Sequence, residues 1–140
     1  MITQRFTKYE GIVFNELIEY LSKNRSINVK SLIPYLSSKL SKKPHNLNRE
    51  GIHKIILSFL NKKIIVEGSG LLKDDLLTNS NRRMIYYYII ENPGTYFNKI
   101  MNGLELPSHV TTWHLNVLED FELIKKNNIG NHTIYYESSL

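Results

Sequence analysis

The sequence predicts a mainly α-helical chain with small β-hairpins, built from two copies of one structural unit. Three observations predict this. Apolar residues recur at helical spacing, short β-prone runs follow the third helix of each copy, and the chain matches itself at a nearly constant offset. Of the 140 residues, 41% are hydrophobic and 22% are charged, which is a globular composition. We place the boundary after Leu77, which gives domains 1–77 and 78–140.

The self-match covers three helices in the same order. At an offset of 68 residues, the apolar positions of the first two helices coincide, as Leu17 does with Ile85. At the third helix the offset is 58, where Leu60 coincides with Leu118. The first copy therefore contains ten extra residues after Leu36, and this insertion is rich in lysine.

The first copy is predicted to contain three helices and a short hairpin. Pro34 fits its second helix only if that helix begins near Ser31, because a missing N–H costs little in a first turn. Asn48 is predicted to cap the third helix. Residues 64–67 and 71–72 are β-prone and flank a Gly-Ser-Gly turn, which predicts the hairpin.

The second copy has clearer helix ends. An Asn-Pro-Gly sequence at 92–94 ends its first helix, and Pro107 precedes its third, for which Ser108 is the predicted N-cap. Residues 123–129 and 132–137 are strand-like and flank Gly-Asn, the signature of a tight hairpin. Three helices closed by a β-hairpin form the winged helix-turn-helix unit.

Charge is unevenly divided between the two copies. Residues 1–77 contain 13 Lys and Arg against 7 Asp and Glu, or +6, whereas residues 78–140 contain 5 against 6, or −1. A basic half next to a neutral half favours a polyanion-binding part, although a positive surface is often only solubilising. The sequence has no cysteine, no apolar run long enough to span a membrane and no signal-peptide pattern, so we expect a cytoplasmic protein.

The second copy resembles the archaeal-type winged helix-turn-helix transcriptional regulators, which are similar to the ArsR and MarR types. The resemblance covers about residues 79–137 and depends on three segments: Asn-Arg-Arg-x-Ile-Tyr at 81–86, Glu-Asn-Pro-Gly-x-x-Phe at 91–97 and Trp-His-Leu-x-x-Leu-Glu at 113–119. It implies a DNA-binding regulator, often dimeric, whose third helix enters the major groove while the hairpin contacts the backbone. The first copy resembles the family only through the repeat.

The resemblance implies a DNA-facing set in the second copy, on its third helix and hairpin: Ser108, His109, Thr112, Asn116, Lys125 and Lys126. Two features depart from the family. His109 stands where the family often has a small residue, and the outward face of this helix has no Lys or Arg. Arg and Lys make most contacts to guanine and phosphate, so the resemblance indicates the fold more strongly than DNA binding for this copy.

The first copy supplies the missing basic residues. Its candidate DNA-binding residues lie in the insertion and on the third helix: Lys39, Lys42, Lys43, Asn48, Arg49, His53 and Lys54. The alternative is a solvated helix and loop whose charges only aid solubility. We expect double-stranded DNA to be the partner of this set.

Aromatic residues of the second copy form a candidate protein interface, consisting of Trp113, Tyr86 and Tyr87. Trp113 lies opposite the apolar face of its helix, and exposed aromatic side chains often anchor interfaces. We expect a homodimer or a protein partner there. The alternative function is a tandem winged-helix scaffold, as in ESCRT complexes or transcription-machinery subunits, without sequence-specific DNA binding.

No pattern of catalysis, metal binding or cofactor binding is present. The sequence lacks a nucleophile elbow and a glycine-rich phosphate loop, and no histidine pair has the spacing of a helical zinc site. His114 lies at the edge of the predicted core and is interpreted as a structural histidine whose hydrogen bonds are satisfied. We therefore expect a protein that is not an enzyme and has no metal or cofactor.

Overall fold

The structure, a computed structural model, describes residues 5–140. The chain divides into two compact units, of which the first ends at Asp74 and the second is Asp75–Leu140. The chain is mainly helical with a small β-structure, as predicted, but it has one antiparallel sheet where two hairpins were expected. Its helices are α1 (Lys8–Lys23), α2 (Val29–Leu40), α3 (Arg49–Asn61), α4 (Ser80–Glu91), α5 (Phe97–Leu104) and α6 (Ser108–Asp120), and a short 3₁₀ helix, Lys73–Thr78, crosses the boundary between the units.

Side-chain caps fix the starts of the three helices in the first unit. Thr7 and Glu10 form a capping box at α1, in which each side chain accepts a hydrogen bond from the other residue's backbone N–H. Asn28 caps α2 and Asn48 caps α3, the latter as predicted. The predicted start of α2 near Ser31 is wrong, because the Asn28 cap starts the helix at Val29 and leaves Pro34 inside it.

The core of the first unit is formed by the inward faces of these helices. Leu17, Leu36, Ile56 and Phe59 are fully buried in it. The Phe59 ring lies 5.5 Å from the ring of Phe6, measured between centroids. Burying such side chains contributes about 1.5–3 kcal/mol each, which makes this face the main source of stability.

The insertion extends α2 and forms the loop that leads to α3. α2 continues to Leu40, and the following loop returns to Leu47, whose N–H donates to the carbonyl oxygen of Leu40 (2.8 Å). Both leucines are buried, so they hold the two ends of the loop at the core. The residues between them are therefore presented beside the start of α3.

The predicted hairpin of the first unit is wrong. No strand forms within residues 64–72. Instead, the N–H of Gly68 donates to the carbonyl oxygen of Ile27 (2.7 Å), and the N–H of Ile27 donates to that of Ser69 (2.8 Å). Ile64 and Ile65 are buried in the core, so their apolar character reflects packing. A side chain at Gly70 would collide with the carbonyl oxygen of Arg25, which accounts for glycine there.

The second unit has the predicted helix order with different caps. Asn79 caps α4 by accepting a hydrogen bond from the N–H of Arg82 (3.0 Å). The helix ends at Asn92, whose side-chain amide donates to the carbonyl oxygen of Tyr88 (2.9 Å). Ser108 is not the N-cap of α6, since the cap position belongs to Pro107 and no side chain bonds there.

The sheet of the second unit has the order β1-β3-β2, with β1 (Thr95–Tyr96), β2 (Ile124–Ile129) and β3 (His132–Glu137). β2 and β3 form the predicted hairpin, in which Ile129 faces His132 across a two-residue turn. Gly130 has a φ of +60° at this turn, a conformation that favours glycine. β1 was not predicted, and it pairs with Tyr135 and Ile134 of β3.

Candidate nucleic-acid interface

The basic set of the first unit is exposed throughout. Lys39 lies in the last turn of α2, Lys42 and Lys43 lie in the loop, and Arg49, His53 and Lys54 lie in the first two turns of α3. The loop that carries Lys42 and Lys43 is closed by the hydrogen bond between Leu47 and Leu40, and α3 begins two residues after Leu47. The exposed basic residues of α3 and of the segment before it are called here the basic surface: Lys39, Lys42, Lys43, Arg49, His53 and Lys54.

Several side chains of the basic surface have local partners. The Asn48 amide oxygen accepts a hydrogen bond from the N–H of Gly51 (2.7 Å), so this candidate DNA-binding residue acts as a helix cap. Lys54 Nζ lies 4.0 Å from the Glu50 carboxylate, with both side chains about four-fifths exposed to solvent. Such exposed pairs contribute little and are screened by salt, so Lys54 stays available to another anion.

A groove joins the starts of α2 and α3 at this surface. It has a volume of about 350 Å³ and is lined by Val29, Lys30, Ile33, Arg49 and His53. The predicted residues Arg49 and His53 are therefore brought together with Lys30, which the sequence analysis missed. Lys30 is exposed in the first turn of α2, and its place could have been inferred from the helical spacing between Lys30 and Ile33.

The outward face of α6 is exposed and lacks basic residues. Ser108, His109, Thr112 and Asn116 are exposed along it, as the predicted DNA-facing set requires. The acidic side chain of Asp120 lies exposed at its end. This face offers hydrogen-bond donors and acceptors to a partner, with no Lys or Arg to attract phosphate.

Both lysines of the hairpin are engaged within the unit. Lys126 Nζ lies 3.3 Å from the Glu119 carboxylate of α6, and Lys125 Nζ donates to the backbone carbonyl oxygen of Leu140. The pairing of Lys126 with Glu119 was not predicted, because the two residues are seven positions apart and belong to different elements. It lowers the charge that this hairpin presents to a phosphate.

Trp113 covers a buried cation. Its side chain is 53% exposed, and its ring centre lies 5.2 Å from the guanidinium carbon of Arg82 on α4. Arg82 is only 2% exposed; one guanidinium nitrogen donates to the carbonyl oxygen of Leu76 (2.7 Å), and Nε has no hydrogen-bond partner. Burial lowers the pKa of Arg82. The exposure of Trp113 agrees with the prediction, and its contact with Arg82 was missed.

His114 is buried beside this pair, and its Nδ1 has no hydrogen-bond partner. Burial, and then the charge of Arg82, lower its pKa. The imidazole is therefore held in its neutral form. The 4% exposure of His114 agrees with a structural role, but the expectation that its hydrogen bonds are satisfied is wrong, because Nδ1 is left without a partner.

Of the three residues of the candidate aromatic interface, Trp113 and Tyr87 are exposed and Tyr86 is not. Tyr86 is buried, because it lies on the side of α4 that packs on the unit, and burial raises the pKa of its hydroxyl. Its inclusion in the interface was wrong. Tyr87 is 43% exposed and lies with Met84 and Ile90 on the outer face of α4.

Within residues 5–140, no three His, Asp or Glu side chains lie close enough together to hold a metal ion. In the part of the chain that the structure describes, no helix is both long and apolar enough to cross a membrane.

Comparison with known proteins identifies one informative relative. The chain is 39% identical over 80 residues to a protein of Methanocaldococcus jannaschii named as an uncharacterized HTH-type transcriptional regulator. The match covers 56% of this chain and 20% of the relative, so the chain spans about a fifth of the length of the curated relative it matches. No family model matches the chain. No solved structure matches it.

Proposed function

We propose that this protein is a DNA-binding transcriptional regulator with a winged helix-turn-helix unit of the ArsR or MarR type, Asp75–Leu140, preceded by a related unit that has the same three-helix order and no hairpin. The observation that carries the proposal is the basic surface, where an exposed third helix and the loop before it present Lys42, Lys43, Arg49, His53 and Lys54. The name of the archaeal relative, an HTH-type transcriptional regulator, supports the same function.

In this proposal the first unit supplies most of the attraction to DNA. Phosphate neutralisation by Lys and Arg releases counterions and provides the sequence-independent part of affinity. Arg49 and His53 line the groove at the start of α3, where their side chains can reach base edges or phosphates, and the loop lysines contact the backbone.

The second unit has a different role in the proposal. The outward face of α6 carries Trp113 and no basic residue, and both hairpin lysines are engaged within the unit. We assign this face to contact with a second copy of the chain or with a protein partner. Aromatic anchors with a polar rim are typical of such interfaces.

The test is a duplex-binding titration at several salt concentrations. Replacing Lys42, Lys43 and Lys54 together by Ala weakens binding to every duplex, because these lysines contact phosphate. It also flattens the slope of log affinity against log salt by about one unit for each lost contact.

A control variant with the same loss of charge separates contact from net charge. Arg5, Lys8 and Lys23 are exposed in the same unit and lie outside the basic surface. Replacing these three by Ala should leave the salt slope close to that of the parent. An unchanged slope in the Lys42, Lys43 and Lys54 variant would remove the basic surface from the interface and favour the scaffold function instead.

A further inference from the structure

The outer face of α4 carries an apolar stripe that the other residues of 5–140 leave exposed. Met84, Tyr87 and Ile90 are 42%, 43% and 38% exposed, and they recur every three residues, so they lie on one side of the helix. The opposite side of α4 is buried against α5, α6 and β3. Single exposed apolar side chains are ordinary on a protein surface, whereas a contiguous stripe of them is typical of an interface.

Two opposite charges stand at the ends of this stripe. Arg83 is exposed one residue before Met84, and Glu91 is exposed one residue after Ile90. One guanidinium nitrogen of Arg83 donates to the carbonyl oxygen of Leu77 (3.0 Å), which leaves its other N–H groups available to an anion. Eight residues of helix span about 12 Å, so Arg83 and Glu91 cannot pair with each other within one chain.

The stripe is complementary to itself when α4 of a second chain lies antiparallel to it. In an antiparallel helix pair with two-fold symmetry, positions equally far before and after the central residue face each other. Tyr87 is such a centre, because Arg83 lies four residues before it and Glu91 four residues after it. Met84 and Ile90 are placed in the same way, three residues from the centre. Each arginine therefore faces a glutamate of the other chain, each methionine faces an isoleucine, and the two tyrosines meet on the axis.

The charges favour this arrangement over a parallel one and favour a second chain over another occupant. In a parallel pair each charged residue would face its own equivalent, and like charges repel. A membrane surface or an unrelated protein would not require opposite charges at equal distances from a central tyrosine. The ring of Tyr87 also lies 5.6 Å from the ring of Tyr86, measured between centroids, and a side chain held in this way loses less freedom on association.

We propose that α4 joins two copies of this chain as an antiparallel helix pair centred on Tyr87, with Arg83 of each chain paired to Glu91 of the other. The twelve residues of α4 span only about 18 Å, so the contact is small beside the roughly 800 Å² per partner of a standard interface. We therefore expect a reversible dimer whose population depends on protein concentration in the micromolar range. This surface is separate from the α6 face and involves no DNA.

Disulfide trapping tests the geometry, because the chain has no cysteine of its own. Helix axes about 8–10 Å apart bring facing Cα atoms to about 4–6 Å, which a disulfide can bridge. Under mild oxidation Tyr87→Cys should therefore form a covalent dimer. Arg83→Cys alone should not, since its two copies would lie about 12 Å apart along the pair. An equal mixture of Arg83→Cys and Glu91→Cys chains should give the mixed disulfide.

Two trapping results would overturn the proposal. Trapping of Arg83→Cys alone as fast as in the mixture would indicate a parallel pair or random collision. A parent chain that associates in sedimentation while Tyr87→Cys is not trapped would assign the association to another face.

Charge reversal tests the pairing itself, by sedimentation of the full chain at several concentrations. Arg83→Glu or Glu91→Arg places like charges at both ends of the pair, so each should weaken association by about tenfold or more. The chain with both reversals has opposite charges again and should associate within about threefold of the parent. Lys99→Glu makes the same change of charge as Arg83→Glu on an exposed residue of α5, and it should leave association unchanged.

The reversed side chains are exposed, so the variants should keep the thermal transition of the parent. A double reversal that fails to restore association would overturn the proposal, as would a parent chain that stays monomeric over the whole concentration range. The trapping and sedimentation samples contain no DNA, so failure of this proposal leaves the proposed function intact. The duplex titration of the basic surface tests that function separately.

Discussion

The third helices of the two units share an apolar face and differ in everything that faces solvent. α3 buries Ile52, Ile56 and Phe59, as α6 buries Leu115 and Leu118. The outer face of α3 is basic, whereas that of α6 presents an indole ring, neutral polar side chains and the carboxylate of Asp120. One packing pattern therefore supports two different surfaces, and function has to be argued from the surface.

The segments after these helices differ as well. In the second unit β2 and β3 form a full antiparallel ladder, to which β1 adds through Thr95. In the first unit the residue at the corresponding position, Ile27, makes only two backbone hydrogen bonds with Gly68 and Ser69. The second unit therefore has a fully paired hairpin after its third helix, whereas the first unit has a basic loop before α3.

The largest expected effect tests whether the shared apolar face is the core of each unit. Leu118 is fully buried, so Leu118→Asp places a charge inside the apolar core and should destabilise the second unit by about 3–5 kcal/mol. Leu57→Asp on α3 is the matched control, because Leu57 is 48% exposed and should tolerate the change. Thermal and urea denaturation measure both. A cooperative transition of Leu118→Asp at the parent temperature would contradict the core assignment.

The next effect concerns the surface of α6. In the proposed interface the exposed indole of Trp113 is the aromatic anchor, so Trp113→Ala should weaken self-association or partner binding by about 2 kcal/mol while the monomer stays folded. Thr112→Ala is an exposed control on the same helix. Sedimentation analysis is run beside a duplex titration at equal protein concentration. Unchanged mass with lost sequence preference would show that α6 reads bases.

The sequence predicts the helices well because their signals are local. The spacing of apolar residues, the Asn48 cap and the Gly130 turn each depend on residues a few positions apart. The helices and the hairpin that they define therefore lie close to the predicted bounds. β1 was missed because two residues become a strand only by pairing with β3, nearly 40 positions later. The hairpin of the first unit was predicted in error because buried apolar residues resemble strand residues in a single sequence.

The candidate site shows the same division between local and distant signals. Exposure of Arg49, His53 and Lys54 on α3 and of Trp113 on α6 follows from helical periodicity. Burial of Arg82 beneath Trp113 and the pairing of Lys126 with Glu119 depend on how α4, α6 and β2 pack. Contacts between charged side chains of different elements produce no periodic pattern in the sequence, so these two contacts could not be predicted from it.

A smaller effect concerns the pH dependence of the stability of the second unit, to which His114 contributes. The pKa of buried His114 lies below its ordinary value near 6.5, so the folded second unit binds fewer protons than the unfolded chain. Neutral His114 therefore contributes to the free energy of unfolding above pH 6.5. This contribution is lost as the pH falls through the pKa that His114 has in the folded unit. Urea denaturation of the parent and of His114→Gln measures this loss, which should shrink in the variant. Asn116→Ala, on the exposed face of the same helix, is the control and should retain the pH dependence of the parent.

The smallest effect tests whether the hairpin of the second unit is kept from phosphate by its own ion pair. Glu119→Gln removes the carboxylate 3.3 Å from Lys126 Nζ, and stability should change by less than about 1 kcal/mol because Lys126 is half exposed. The released lysine can then meet a phosphate, so duplex affinity should rise and the salt slope should steepen by up to about one unit. Asp120→Asn makes the same change of charge one residue away, where no lysine is paired. An equal gain in both variants would mean that net charge alone is responsible. A gain in Glu119→Gln alone would show that the second unit reaches DNA once its hairpin lysine is free, and the contrast between the two units would then be one of pairing and not of fold.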